Sequence, residues 1–358
     1  MSQDHAITPL SSNGALEVVG HVANEHARRA VFADYLSRKS DATKRTQAAA
    51  LARFADYLAQ ISARGGAADL HKEIAGFAEA VALYPDGPKP EPAAWRGVTW
   101  GIVEGFRNWQ ALEGDAIASL NLRLSVVKTY AKLAMKAGVI DPQEATLIGA
   151  VAGYSAKEGK RINERREVTR RGRKKAESTR ITREQARALK HQPDTPQGRR
   201  DALLMALLLD HGLRAGEVAG LRVGDFDLRA GEMRFNRPKV DKVQTHKLTA
   251  DALRAARAWF ESGEAPIMAD EPVLRGSRKG GALTGPGMSE RAINNRVRAL
   301  GVAAGVEGLS PHDCRHFWAT TWARKVDPFR LKEAGGWSSI ATVDRYVEAS
   351  KIANEGMA

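Results

Sequence analysis

The sequence predicts a mainly α fold with one small antiparallel β-meander, an α+β arrangement divided between two domains. Three observations predict it: apolar residues recur at helical spacing through most of the 358 residues, period-two alternation is confined to 226–248, and a dense basic stretch near the middle cannot form a core. A chain of this length exceeds one typical domain.

Residues 1–24 are mixed and polar and form an N-terminal arm of unassigned order. Residues 25–155 are a compact helical domain. In it Ser40-Asp41 offers an N-cap, followed by Ala48, Leu51, Phe54, Ala55, Leu58 and Ile61 at helical spacing. Lys44 and Arg45 stand in that first turn, where the helix dipole disfavours cations unless an anion lies nearby. They are either phosphate contacts or an ordinary solvated face. Gly65-Gly66 and the run Tyr84 to Pro92 break the helical pattern, and the stripe Ile117, Leu120, Leu124, Val127, Ala131 and Ala134 then forms a helix that Gly138 ends and Pro142 cannot continue.

Residues 156–178 are a basic linker. Lys157, Lys160, Arg161, Arg165, Arg166, Arg170, Arg171, Arg173, Lys174 and Lys175 repel one another unless an anion compensates them, which favours a strap along a phosphate backbone over a plain solvated connection. The whole chain carries 55 Lys and Arg against 42 Asp and Glu, a formal charge of +13, so a polyanionic partner is expected, nucleic acid ahead of membrane. Cys314 is the only cysteine, which excludes an intramolecular disulfide and suits a reducing compartment. No signal-like start or bilayer-length apolar run occurs, and a cytoplasmic location is expected.

Residues 179–358 form the second domain. Thr182 starts a helix, and the run Leu203 to Leu209, apolar nearly all round, is a buried helix leading to Gly212. Arg214 follows, and burying its charge so near a core requires a partner, either Glu217 or a phosphate. Phe226, Leu228, Met233 and Phe235, then Val240, Val243 and Leu248, make the meander, with Lys239 and Lys242 in or beside its second turn. Helices follow around Leu253, Ala256 and Phe260 and around Ile293, Val297 and Leu300, joined by a Gly- and Pro-rich loop from Ser262 to Met288.

Ser310-Pro311 then reads as N-cap and first helical position. His312 and Arg315 share a face of that first turn, close to free amides that favour an anion. The helix runs through Trp322, a short one starts at Asp327-Pro328 and stops at Gly335-Gly336, and Ser339 caps a third that carries Tyr346. No Walker A spacing occurs, so ATP is not implied, and His312, Cys314 and His316 alternate over different helix faces, which does not suit a metal.

The pattern H-x-x-R at 312–315, G-G-W-S-S at 335–339 and Tyr346, preceded by Gly212-Leu213-Arg214-Ala215-Gly216-Glu217, resembles the two boxes of the tyrosine recombinase (phage integrase) family over about 179–347. The resemblance implies a C-shaped, two-domain clamp in which the helical half is a core-binding domain and the second half is catalytic. It also implies that Arg214, Lys239, His312, Arg315, Trp337 and Tyr346 are catalytic, with Glu217 in support. Many family members have a second His where this chain has Trp337, and some have Trp; an indole donates one hydrogen bond and cannot relay a proton.

The residue types fit DNA strand transfer without cofactor or metal. Tyr346 supplies a nucleophile, leaving a 3′-phosphotyrosine; Arg214 and Arg315 clamp the non-bridging oxygens; His312 assists proton transfer or holds phosphate; and Lys239 protonates the leaving 5′-oxygen. The expected function is a site-specific recombinase or integrase, serving a mobile element such as a phage or genomic island or the chromosome itself. The resemblance implies a homotetramer on double-stranded DNA and leaves room for accessory DNA-bending proteins. A type IB topoisomerase and a catalytically inactive DNA-binding regulator are the rival readings.

Overall fold

The computed structural model describes residues 12–65, 92–165, 178–238 and 240–350. The chain divides into two compact units, Met1–Lys174 and Lys175–Ala358. Among the described residues no helix is long and apolar enough to cross a membrane.

In the first unit the described elements are α1 (Ser12–Ser37), α2 (Asp41–Gly65), a 3₁₀ turn (Pro92–Trp95), α3 (Trp100–Leu112), α4 (Ile117–Lys136), α5 (Pro142–Ala150) and α6 (Ala156–Arg165). Their starts are chemically marked. Ser40 Oγ accepts from the Thr43 amide and Asp141 accepts from the amides of Gln143 and Glu144. Phe54, Trp95, Val103, Phe106, Leu120, Val127 and Ala134 are fully buried, with Trp95 stacked between Phe54 and Tyr130 at ring separations of 5.9 Å on each side. A polar thread crosses this aromatic core: Tyr130 donates to Gln47, which donates to Tyr35. Burial of an amide is tolerable here because both its ends are bonded.

Two stretches are more ordered than the sequence pattern suggests. α1 begins at Ser12, inside the arm of unassigned order, and its early apolar residues Leu16, Val18, Val19 and Val22 are exposed while Phe32 and Leu36 are buried. Without packing on its first half there is no buried stripe to read. The basic stretch also starts as a helix, α6: Ser155 and Glu158 bond reciprocally at its start, and Gly159 packs on the side chain of Ile117. Helical order therefore extends ten residues into a segment whose composition says only that it is charged.

The second unit comprises α7 (Arg183–Lys190), α8 (Pro196–Asp210), α9 (Ala215–Gly220), β1 (Phe226–Asp227), β2 (Glu232–Arg237), β3 (Lys242–Lys247), α10 (Ala250–Phe260), β4 (Arg275–Ser277), β5 (Leu283–Gly287), α11 (Glu290–Ala303), α12 (Pro311–Ala323), α13 (Pro328–Gly335) and α14 (Ile340–Ser350). α8 is the central element, with Leu203 to Leu209 all buried. The meander forms as an antiparallel sheet in the order β1-β2-β3, with Phe235 opposite Gln244 and Met233 opposite His246. Met233, Phe235 and Arg237 point inward from β2, whereas Val243 of β3 is exposed and Gln244 is buried. The region 262–288, expected to be a loop, contains the antiparallel pair β4-β5. Its strands are made of Gly, Pro, Ser, Thr, Leu and Arg with an irregularity at Arg275, so they carry no alternation to detect.

His211 and His246 meet behind the sheet at a ring separation of 5.7 Å, with Phe235 edge-on to His246 at 5.0 Å. Burial lowers His211 to about 4, helped by Lys190, and burial lowers His246 to about 3, helped by His211 and Arg237. Unfolding returns both imidazoles to about 6.5, so below that pH the unfolded chain binds protons that the folded chain refuses. Stability present above pH 6.5 should therefore fall as pH drops toward 4, by up to roughly 1.4 kcal/mol per pH unit for each histidine. Thermal melts from pH 7 to 4.5 should show this loss, and His246→Leu should flatten it. An identical slope for the variant would remove His246 from the account.

Candidate active site

The site begins where α8 ends. Gly212 turns the chain with φ of +61°, and a Cβ there would lie 2.4 Å from the Trp318 ring, so both conformation and space require glycine. Arg214 follows as the residue that precedes α9. Glu217 reaches back from the third position of that helix: its carboxylate accepts from the Arg214 amide at 2.9 Å and from Arg214 Nη1 at 2.6 Å. One buried carboxylate thus starts the helix and fixes the guanidinium, which stays partly exposed.

Glu217 has a second cationic partner that sequence analysis did not single out. Arg237, at the end of β2, is fully buried and its Nη1 lies 3.2 Å from both Glu217 oxygens. The same nitrogen donates to the Gly335 carbonyl at 2.9 Å, and Nη2 donates to the Ala334 carbonyl at 2.8 Å. These carbonyls end α13, where a helix presents unpaired acceptors and partial negative charge. Gly336, in the left-handed conformation with φ of +58°, closes that end, and a Cβ on it would collide with Arg237.

Arg315 enters from α12. Ser310 and Asp313 form a reciprocal cap, Ser310 Oγ accepting from the Asp313 amide while the Asp313 carboxylate accepts from the Ser310 amide and hydroxyl. The Asp313 carboxylate also takes the Thr179 amide. Negative charge therefore already stands in this first turn, and the attraction for an outside anion comes from guanidinium groups more than from the helix start. Arg315 is buried, donating to the Gly212 carbonyl and, through Nη2, to the Gly335 carbonyl, each at 2.5 Å. Burial, then the neighbouring Arg214, pushes it down to about 9, against the pull of Glu217. It remains cationic at neutral pH. Arg237 is also lowered, first by burial.

Tyr346 is folded onto this cluster. Its ring lies 5.3 Å from Trp337 and 4.7 Å from His316, and Trp337 holds the Arg315 guanidinium 4.5 Å from its centroid. His316 in turn is 5.5 Å from the exposed His312. Trp318, Ala319, Leu331 and Val343 pack beneath the tyrosine, which is buried. Arg214, Glu217, Arg315, Trp337 and Tyr346 are thus gathered, with His312 joined through His316. Of His312, Cys314 and His316, expected on different helix faces, His312 and His316 instead share one face a single turn apart, and that four-residue spacing was the available signal for His316.

Other residues singled out from sequence are placed differently. Lys239, Arg166, Arg170, Arg171, Arg173, Lys174 and Lys175 lie outside the described residues. Lys242, the competitor of Lys239, is ion-paired with Glu333 at 2.5 Å. Lys157, Lys160, Arg161 and Arg165 are exposed on α6. Lys44 is paired with Asp41 at 3.5 Å, and Arg45 is exposed.

Residues 179–352 match the model of the phage integrase family, and this segment belongs to that family, the tyrosine recombinases. Among relatives, a tyrosine recombinase XerC of Mycobacterium sp. is 27% identical over 258 residues, covering 71% of this chain and 79% of the relative. A tyrosine recombinase XerC of Azotobacter vinelandii is 32% identical over 149 residues, 41% of this chain, which spans about half (48%) of that relative's length. Among solved structures, the Tn1549 transposon integrase in complex with transposon right end DNA aligns over 86% of this chain and 97% of its own with a TM-score of 0.56 at 14% identity. A lambda integrase dimer bound to a COC′ core site aligns over 82% and 94% with a TM-score of 0.50 at 15% identity. These likenesses show the mainly helical fold with small antiparallel sheets.

Proposed function

We propose that this chain is a site-specific DNA recombinase that cuts and rejoins strands by transesterification. The observation that carries the proposal is one indole ring, Trp337, that touches both the Tyr346 phenol ring and the Arg315 guanidinium, with Arg214 tied to the same cluster through Glu217. A nucleophile and two phosphate-binding cations from distant parts of the sequence meet at that point. Attack by the Tyr346 oxygen on phosphorus forms a 3′-phosphotyrosine and expels the 5′-oxygen, which takes a proton and later returns to reverse the step. Arg214 and Arg315 bind the non-bridging oxygens as charge builds on them. His312, exposed at the start of α12, serves proton transfer at the tyrosine or holds phosphate, and Lys239 supplies the proton to the 5′-oxygen. Trp337 orients Arg315 and Tyr346 instead of exchanging protons.

Double-stranded DNA is the substrate in this reading, held in part by the basic residues 157–175 and acted on by a homotetramer. Support for the DNA partner comes from the +13 charge and from a structural neighbour, the Tn1549 transposon integrase, solved in complex with DNA. Expected service to a mobile element follows the transposon and phage integrases among the structural neighbours. A topoisomerase-like activity finds no particular support in the site.

Tyr346→Phe should bind DNA as the unaltered chain does and form no covalent complex on a nicked suicide duplex. An adduct on denaturing gels from this variant would assign the nucleophile elsewhere. Lys239→Ala should cleave ordinary DNA about 10²–10⁴ times more slowly with near-normal binding. A duplex with sulfur in place of the 5′-bridging oxygen has a leaving group that needs no proton, so it should rescue Lys239→Ala far more than Arg214→Ala. Selective rescue of Lys242→Ala instead would move the acid to Lys242, in spite of its pairing with Glu333. Changing Lys157, Lys160, Arg161 and Arg165 to Gln should weaken binding to all sequences alike and reduce the slope of log affinity on log salt by about 0.9 for each phosphate no longer neutralised. An unaltered slope would make α6 an ordinary solvated helix.

A further inference from the structure

We infer that Arg237 is a positioning residue for the phosphate-binding pair, holding Arg214 and Arg315 in one geometry without itself reaching DNA. The inference rests on the functional reading above. Arg237 is fully buried, so no phosphate can touch it. Its hydrogen bonds nevertheless link the two arginines that the reading assigns to phosphate. Glu217 accepts from Arg214 and from Arg237, and the Gly335 carbonyl accepts from Arg237 and from Arg315. The result is a chain of shared acceptors, Arg214 to Glu217 to Arg237 to Gly335 to Arg315, in which Arg237 is the middle link.

Arg237 is more than a tie between β2 and α13, for two physical reasons. First, a buried guanidinium loses hydration that its ion pair restores only in part, so an apolar side chain would serve stability as well or better. Arg237 also keeps a buried Nε that makes no hydrogen bond. Second, among the described residues Glu217 is the one carboxylate hydrogen-bonded to any of these guanidinium groups, and it serves Arg214 and Arg237 together. While Arg237 shares it, Arg214 is only partly neutralised and keeps attraction for an incoming phosphate. Without Arg237 the carboxylate pairs with Arg214 alone, and the Gly335 carbonyl, with one donor fewer, no longer ties Arg315 to the same frame.

The test is a double-mutant cycle on single-turnover adduct formation with a nicked suicide duplex, with DNA affinity and melting temperature measured for every protein. Arg237→Met should slow adduct formation by about 10²-fold, as loss of one preorganised electrostatic element does. Its DNA affinity should stay within about threefold, since the residue makes no phosphate contact. Because Arg237 acts through Arg214, adding Arg237→Met to Arg214→Ala should cost far less than that, whereas independent effects would multiply to within about twofold. Arg237→Lys, which keeps the charge but cannot serve Glu217 and two carbonyls together, should fall between. If Arg237→Met does not fold, Arg237→Lys carries the same cycle. Multiplying losses, or an adduct rate equal to that of the unaltered chain, would overturn the inference. Absence of any adduct from the unaltered chain would instead overturn the recombinase reading, and this inference with it.

Discussion

The second unit depends on sharing too few acceptors among too many cations. Arg214 and Arg237 share one carboxylate, Glu217, while Arg237 and Arg315 share the carbonyl end of α13. Each part of the local architecture can be traced to that constraint. Gly212 must turn tightly so that its carbonyl meets Arg315, Gly336 must lack a side chain so that Arg237 can approach, and β3 turns Gln244 inward to donate to the Glu333 carbonyl. Burying so much charge is costly, and the apolar α8 with the cluster under Tyr346 offsets it.

Much of this was legible in the sequence because it depends on local chemistry. Caps at Ser40, Thr182, Ser310 and Asp327, the stop at Gly335-Gly336 and the apolar run of α8 each follow from a few adjacent residues. The two boxes are local as well, which is why Arg214, Glu217, Arg315 and Tyr346 could be named before their distances were known. Arg237 was less accessible, although the alternation Met233, Phe235, Arg237 places it on the buried face of β2. That position demands an anion, but the partner is Glu217, 20 residues earlier on another element, and the other two acceptors are backbone carbonyls that no sequence pattern displays.

The remaining departures have a common cause, which is that apolarity alone does not say which face is buried. Val243 suggests an inward position on β3, yet the inward residues there are Gln244 and His246, because that face meets helix-end carbonyls and a buried histidine. The valines early in α1 are exposed, so a helix forms where no amphipathic stripe points to one. In α6 the helix is set by a Ser155–Glu158 cap and one glycine contact, signals easily hidden by the surrounding charge.

Trp337 shows how the proposed chemistry and the packing constrain each other. A histidine at that position could donate a proton to a phosphate oxygen, whereas an indole offers a broad face and a single fixed donor. This chain uses the face: Arg315 lies over one part of it, Tyr346 packs beside it, and Trp318 supports it at 5.9 Å. The ring thereby transmits the position of Arg315, fixed by the Gly212 and Gly335 carbonyls, to the tyrosine helix α14. In the proposed reaction the geometry of attack is then set by rigid aromatic contact, and proton movement falls to His312 and Lys239 instead of the ring. Separating the two tasks lets the centre remain buried and positively charged, while His312 stays exposed where solvent and substrate can reach it.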